Sequence, residues 1–158
     1  MIIRQATPLD AEGIKYVHVQ AYQISYRGYI PDSYLDSLTV DEDVIKRTQA
    51  FLEKTESWVV EQDNKIIGFA YISYPSQTDF EIMAIYVLPS CHQQGVGSTL
   101  FRFLCRNKKE AGFQKCIAYT MKDGPSRGFY EKMGCQQRPT EIKMWKFDIP
   151  LVLYEKTL

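Results

Sequence analysis

The segment Phe80-Glu81-Ile82-Met83-Ala84-Ile85-Tyr86-Val87-Leu88 is almost unbroken apolar sequence, and Pro89 stops it. A nearly continuous apolar run without polar alternation predicts a strand buried on both faces. Such a strand forces a layered architecture, because helices must cover a sheet on either side. The chain has the means for this. It has 158 residues, 45% of them hydrophobic, which fits a single domain over 1–158 with a real core.

The flanking sequence supplies the other layers. Met1 to Ala6 predicts a first strand. Thr7 and Pro8 predict a helix start, followed by Ile14, Val17, Ala21 and Ile24 at helical spacing. Tyr26 to Pro31 reads as a loop and Asp32 to Leu38 as a short helix. A longer helix spans Val44 to Leu52, capped by Asp41 or Asp43. Trp58 to Val60 and Ile66 to Tyr74, joined by the turn Asp63-Asn64-Lys65, form a hairpin. After the apolar strand, Gly97 to Ala111 is a helix with the stripe Leu100, Phe101, Leu104 and Cys105, stopped by Gly112. Lys115 to Thr120 is a strand and Ser126 to Met133 a helix. Further strands fall near Ile142 to Phe147 and Leu151 to Glu155. The expected fold is α/β, a mixed sheet with helices on both faces.

Between the apolar strand and the next helix lies Ser90-Cys91-His92-Gln93-Gln94-Gly95-Val96-Gly97-Ser98. Glycines let backbone approach a ligand without a Cβ in the way. The first amides of a helix have no internal partner and sit at the positive end of its dipole. Together these features predict an anion site suited to phosphate. A P-loop would need Lys before Ser98-Thr99. A dinucleotide-binding loop would need Gly where Leu100 stands, and an acidic residue where Cys116 to Ala118 lie.

The stretch His92-Gln93-Gln94-Gly95-Val96-Gly97 resembles the acyl-CoA loop of the GNAT N-acetyltransferase superfamily, [RQ]-x-x-G-x-[GA]. Downstream, Asp123 to Cys135 is similar to the superfamily's second signature, N-x-x-A-x-x-F-Y-x-K-x-G-F, with Phe129-Tyr130 as its aromatic pair. Ile3 to Asp10 looks like its opening strand and helix, and Tyr26 to Pro31 followed by Tyr34-Leu35 resembles a stretch of many bacterial members, so the resemblance spans nearly the whole chain. The departures are His92 for Arg or Gln, Asp123 for Asn, Ser126 for Ala and Cys135 for Phe. The resemblance implies a GNAT-like fold, with a mostly antiparallel twisted sheet of about seven strands. It implies acetyl-CoA as co-substrate, with no metal. The residues implied to bind it are Ile85, Tyr86, Val87, His92, Gln93, Gln94, Gly95, Val96, Gly97, Ser98, Asp123 and Ser126.

The implied reaction moves acetyl to a primary amine of a small molecule or peptide, by direct attack through a tetrahedral intermediate. The amine must first lose a proton, the oxyanion needs a donor, and the departing thiolate benefits from an acid. Glu81 is the only carboxylate of its strand, and alternation sets it with Met83, Ile85 and Val87. It is the candidate base, with water-mediated proton transfer or a merely solvated Glu81 as the alternatives. Tyr130 is the candidate acid, and the Val87 amide the implied donor to the acetyl oxygen. Tyr22, Tyr26, Tyr29 and Tyr34 crowd the segment that walls the acceptor pocket in the family. Acidic residues from Asp32 to Asp43 lie nearby, as a cationic acceptor or ordinary helix starts would have them.

Other classes fit less well. Lys+Arg and Asp+Glu both number 19, so no basic excess points to nucleic acid. No run approaches the roughly 20 apolar residues of a membrane span, and the N-terminal residues lack a signal-peptide core. Four unpaired-looking cysteines fit a reducing cytoplasm. Gly124-Pro125-Ser126-Arg127-Gly128 matches a nucleophile elbow, but no histidine follows Ser126. Cys91-His92 are chain neighbours, whereas a dyad needs side chains converging from separate elements. The remaining alternative is a non-catalytic acyl-CoA sensor of the same fold. A homodimer is left open.

Overall fold

The computed structural model describes residues 1–158. The strands are β1 (Ile2–Gln5), β2 (Ser57–Gln62), β3 (Lys65–Ser73), β4 (Asp79–Val87), β5 (Lys115–Met121), β6 (Gln136–Trp145) and β7 (Ile149–Thr157). The helices are α1 (Ala11–Ser25), α2 (Asp32–Ser37), α3 (Glu42–Lys54), α4 (Val96–Glu110) and α5 (Arg127–Lys132). The strands form a seven-stranded open sheet in the order β1-β2-β3-β4-β5-β7-β6, flanked by helices. β4 and β5 run parallel, whereas β1 with β2, β2 with β3, β5 with β7, and β6 with β7 are antiparallel.

The chain forms two compact units, Met1–Ile72 with Ala84–Leu100, and Ser73–Met83 with Phe101–Leu158. In the first, Ala11, Ile14 and Val17 of α1 pack with Leu52 of α3, Val59 of β2 and Phe69 of β3. Each large apolar side chain buried this way contributes about 1.5–3 kcal/mol. The α1 entrance is more elaborate than a simple Thr7 cap. A 3-10 turn, Pro8–Asp10, precedes the helix, and the Asp10 carboxylate accepts the Thr7 backbone amide at 2.8 Å. Of the two candidate acids, Asp41 is the cap, accepting the Val44 amide at 2.9 Å, while Asp43 lies in the first turn of α3.

In the second unit, β5 pairs with β7 along its whole length, Lys115 to Met121. Phe101, Leu104 and Cys105 of α4 are buried, as is Leu100 just before them, so the predicted stripe is the buried face. Two expectations need correction. β6 begins at Gln136, well before Ile142, because a bulge around Pro139 between Arg138 and Ile142 masks the alternation of an exposed edge strand. β4 is not covered on both faces. Phe80 and Ile82 are fully buried, but Met83 is 48% exposed and Glu81 half-buried. The same face closes again at Val87, which is buried.

Arg4 ties the first unit together. Its guanidinium makes a two-pronged contact with Asp10 at 2.9 and 2.8 Å and reaches Glu61 on β2 at 2.8 Å. The Arg4 hydrogen bonds, against the opposing effect of burial, hold the Asp10 carboxyl below its usual value. The stabilisation is therefore complete above the unfolded-state pKa and is lost as pH falls through the lowered folded value. Asp10→Asn should cost about 1–2 kcal/mol at neutral pH. Denaturant unfolding of both proteins should show that gap closing in acid; a gap independent of pH would contradict the assignment.

Candidate functional site

The end of β4 decides which backbone groups are available. The Leu88 amide donates to the Ile67 carbonyl of β3 at 2.8 Å. Successive residues of a strand aim their N–H and C=O at opposite edges. The Val87 and Ile85 amides therefore point away from β3. Pairing of β4 with β5 covers Asp79–Glu81 against Lys115–Ile117 and goes no further. From Ile82 onward that edge of β4 carries no strand. The Tyr86 carbonyl faces β3, where a Cβ on Gly68 would sit 3.1 Å from it, so Gly68 allows the close approach.

The loop that follows is built around left-handed backbone. Gln93 has φ 61° and Gly95 φ 81°. Gly95 needs its glycine for that conformation, while the space a Cβ would occupy is open. The first bond into α4 runs from the Thr99 amide to the Gly95 carbonyl at 2.9 Å. The amides of Val96, Gly97 and Ser98 precede it and have no carbonyl one turn back. Val96 is buried, Gly97 and Ser98 half-buried, and His92, Gln93, Gln94 and Gly95 exposed. The Gln94 side chain donates to the Ser90 carbonyl at 2.9 Å, bracing the turn. The His92 ring is also engaged: Nε2 lies 3.0 Å from the Val87 carbonyl. A carbonyl only accepts, so Nε2 carries the proton. The Cys91 sulfur lies 3.9 Å from the Ser90 hydroxyl.

Behind β4 sits an aromatic cluster within the same unit. The Tyr26 and Tyr86 hydroxyls are 2.9 Å apart, and the Tyr22 ring lies 4.8 Å from Tyr26 and 5.4 Å from Tyr86. His18 joins edge-on to Tyr22 at 4.1 Å, with its Nδ1 3.0 Å from Lys15 Nζ. Burial first, then the neighbouring phenols, pushes the Tyr86 hydroxyl well above its usual value. Tyr86 is thus a neutral hydrogen-bonding group, and its side chain is spent on the protein. Tyr29, by contrast, is 46% exposed, apart from this packed group.

The remaining predicted residues belong to the second unit. Glu81 is half-buried and accepts the Ser73 hydroxyl at 3.3 Å, a contact that sequence reading had not found. Tyr130 is buried on α5 and stacks on Tyr154 at 5.7 Å, with Phe101 and Phe129 edge-on. Tyr154 in turn donates to Glu131 at 2.9 Å and accepts from Arg127 Nε at 3.2 Å, which fixes the stack. Asp123 is exposed, and Ser126 sits half-buried at the start of α5. Gly124 lets the turn between them fold back on Met121, where a Cβ would come within 2.5 Å of the methionine side chain.

Comparison with known proteins gives the family and the fold. The model of the Acetyltransferase (GNAT) family matches residues 19–135. The uncharacterized N-acetyltransferase YuaI of Bacillus subtilis (strain 168) is 30% identical over 135 residues, 82% of this chain and 76% of YuaI. The peptidyl-lysine N-acetyltransferase YiaC of Escherichia coli (strain K12) is 25% identical over 109 residues, 65% of this chain and 69% of YiaC. The fold is also that of the PaiA N-acetyltransferase of Thermoplasma acidophilum, whose crystal structure contains coenzyme A. Its TM-score is 0.83 at 19% identity, over 99% of this chain and 98% of that one. On the family match and the YuaI identity together, the chain belongs to the GNAT acetyltransferase family.

Proposed function

We propose that the protein transfers the acetyl group of acetyl-CoA to a primary amine, of a small molecule or of a peptide lysine. The observation that carries this reading is the set of unpartnered amides at Val96, Gly97 and Ser98, just past an open left-handed Gly95. Such a cradle suits a pyrophosphate. The strand-free edge of β4 offers the Ile85 amide to an extended, amide-bearing pantetheine arm and leaves the Val87 amide for the acyl group.

Acetyl-CoA supplies an acetyl group activated as a thioester. The Val87 amide donates to the acetyl oxygen and stabilises the negative charge that develops there. Glu81 takes the proton from the acceptor ammonium, directly or through water, so that the free amine can attack. The Tyr130 hydroxyl gives its proton to the departing sulfur as the carbon–sulfur bond breaks, and the proton shed by the attacking nitrogen as the amide forms restores the Tyr130 hydroxyl. The peptide-lysine acceptor is favoured by the resemblance to YiaC, a peptidyl-lysine N-acetyltransferase by name.

Three measurements test this. Acetyl-CoA at about a hundred times its Kd should stabilise the fold by about 2.7 kcal/mol in thermal denaturation; no shift removes the proposal. Gly95→Ala should weaken acetyl-CoA about tenfold or more, since a left-handed alanine costs about 1–2 kcal/mol. Tyr130→Phe should lower thiol release across lysine peptides and small amines about a hundredfold, with acetyl-CoA affinity retained. Full turnover by that variant would refute its role as acid. Cofactor binding without thiol release on any amine would identify a sensor instead of an enzyme.

A further inference from the structure

The peptide unit between Val87 and Leu88 is held at both ends. Its N–H, on Leu88, donates to the Ile67 carbonyl at 2.8 Å, and its C=O, on Val87, accepts from His92 Nε2 at 3.0 Å. Val87 therefore presents two groups to the strand-free edge of β4, and only one is open. The carbonyl is capped by the histidine, and the N–H remains. Without the cap, an acceptor and a donor would sit side by side on the same residue. A thioester oxygen would then meet the repulsion of the free carbonyl beside the attraction of the N–H.

From this geometry we infer that His92 is a positioning residue: it caps the Val87 carbonyl so that Val87 offers the acyl group its N–H donor alone. The inference rests on the acetyl-CoA reading given above. It also explains why histidine stands where the resembling motif has arginine or glutamine. His Nε2, Gln Nε2 and Arg Nε lie the same number of bonds from Cα, and each can bear an N–H. All three therefore offer a donor of the same reach. The exposed ring turns back to the protein's own backbone. Local backbone strain at Gln93, φ 61°, shapes the turn that brings the ring back.

The test separates the acetyl group from the rest of the cofactor. Affinities for CoA and acetyl-CoA are measured by calorimetry for the wild type, His92→Ala and His92→Gln. The carbonyl stretch of bound acetyl-CoA, labelled with carbon-13 at the acetyl carbonyl, is read by difference infrared spectroscopy. In His92→Ala, the stretch should move from its lowered, hydrogen-bonded frequency toward that of free acetyl-CoA. Acetyl-CoA affinity should drop about fivefold, the equivalent of one neutral hydrogen bond, while CoA affinity stays within about twofold. His92→Gln should restore both the frequency and the affinity. An unchanged stretch in His92→Ala overturns the inference. So does an equal loss of CoA and acetyl-CoA affinity, which would mark a merely structural histidine, or a glutamine variant that behaves like alanine. A wild type that binds neither ligand would overturn the acetyl-CoA reading itself, and the inference with it.

Discussion

The bond from the Leu88 amide to the Ile67 carbonyl sets the polarity of the whole end of β4. Strand geometry gives each residue one edge, so committing Leu88 and Tyr86 to β3 commits Val87 and Ile85 to the other. Because β5 pairs only as far as Glu81, those amides are left with no strand to answer them. Unpaired backbone donors are costly when buried and become useful only beside a ligand that can accept. The loop completes the arrangement: after Pro89 the chain turns through left-handed Gln93 and Gly95 and enters α4 with its first amides outward. Donors at the strand end and donors at the helix start thus follow one another within a short stretch of chain.

That arrangement needs a rigid back. Tyr86 alternates with Val87, so its side chain goes to the opposite face, where Tyr26 and Tyr22 of the α1 region meet it. Aromatic pairs at these spacings each add about 0.5–1.5 kcal/mol beyond area burial. The hydroxyl contact also satisfies polar atoms that burial would otherwise strand. The raised Tyr86 value follows from the same packing and makes it a structural phenol. The clustered tyrosines seen in the sequence are therefore divided: Tyr22 and Tyr26 serve the core, and Tyr29 stays exposed.

Local signals were legible and long-range ones were not. The α4 stripe, the Gly112 stop and the glycine loop each depend on neighbours within a turn or two, so spacing revealed them. β6 was misplaced because its start is exposed and bulged, with Pro139 and polar residues where alternation would be expected. The exposure of Met83 was missed because apolar composition alone does not tell a covered face from an open one. The Tyr26–Tyr86 contact joins residues 60 apart, beyond any periodicity. The bond from His92 to Val87 spans only five positions, yet it depends on the ring turning back across the loop, which side-chain type alone does not encode.

The central claim is that backbone amides, from Val87 and from Val96 to Ser98, hold an acyl-CoA. Amide-resolved NMR titration tests it most directly. Adding CoA should move the resonances of Gly95, Val96, Gly97 and Ser98 saturably and together, with a further change at Val87 that appears with acetyl-CoA and not with CoA. Saturable binding that leaves those loop amides unmoved, or a Val87 amide indifferent to the acetyl group, would contradict the account.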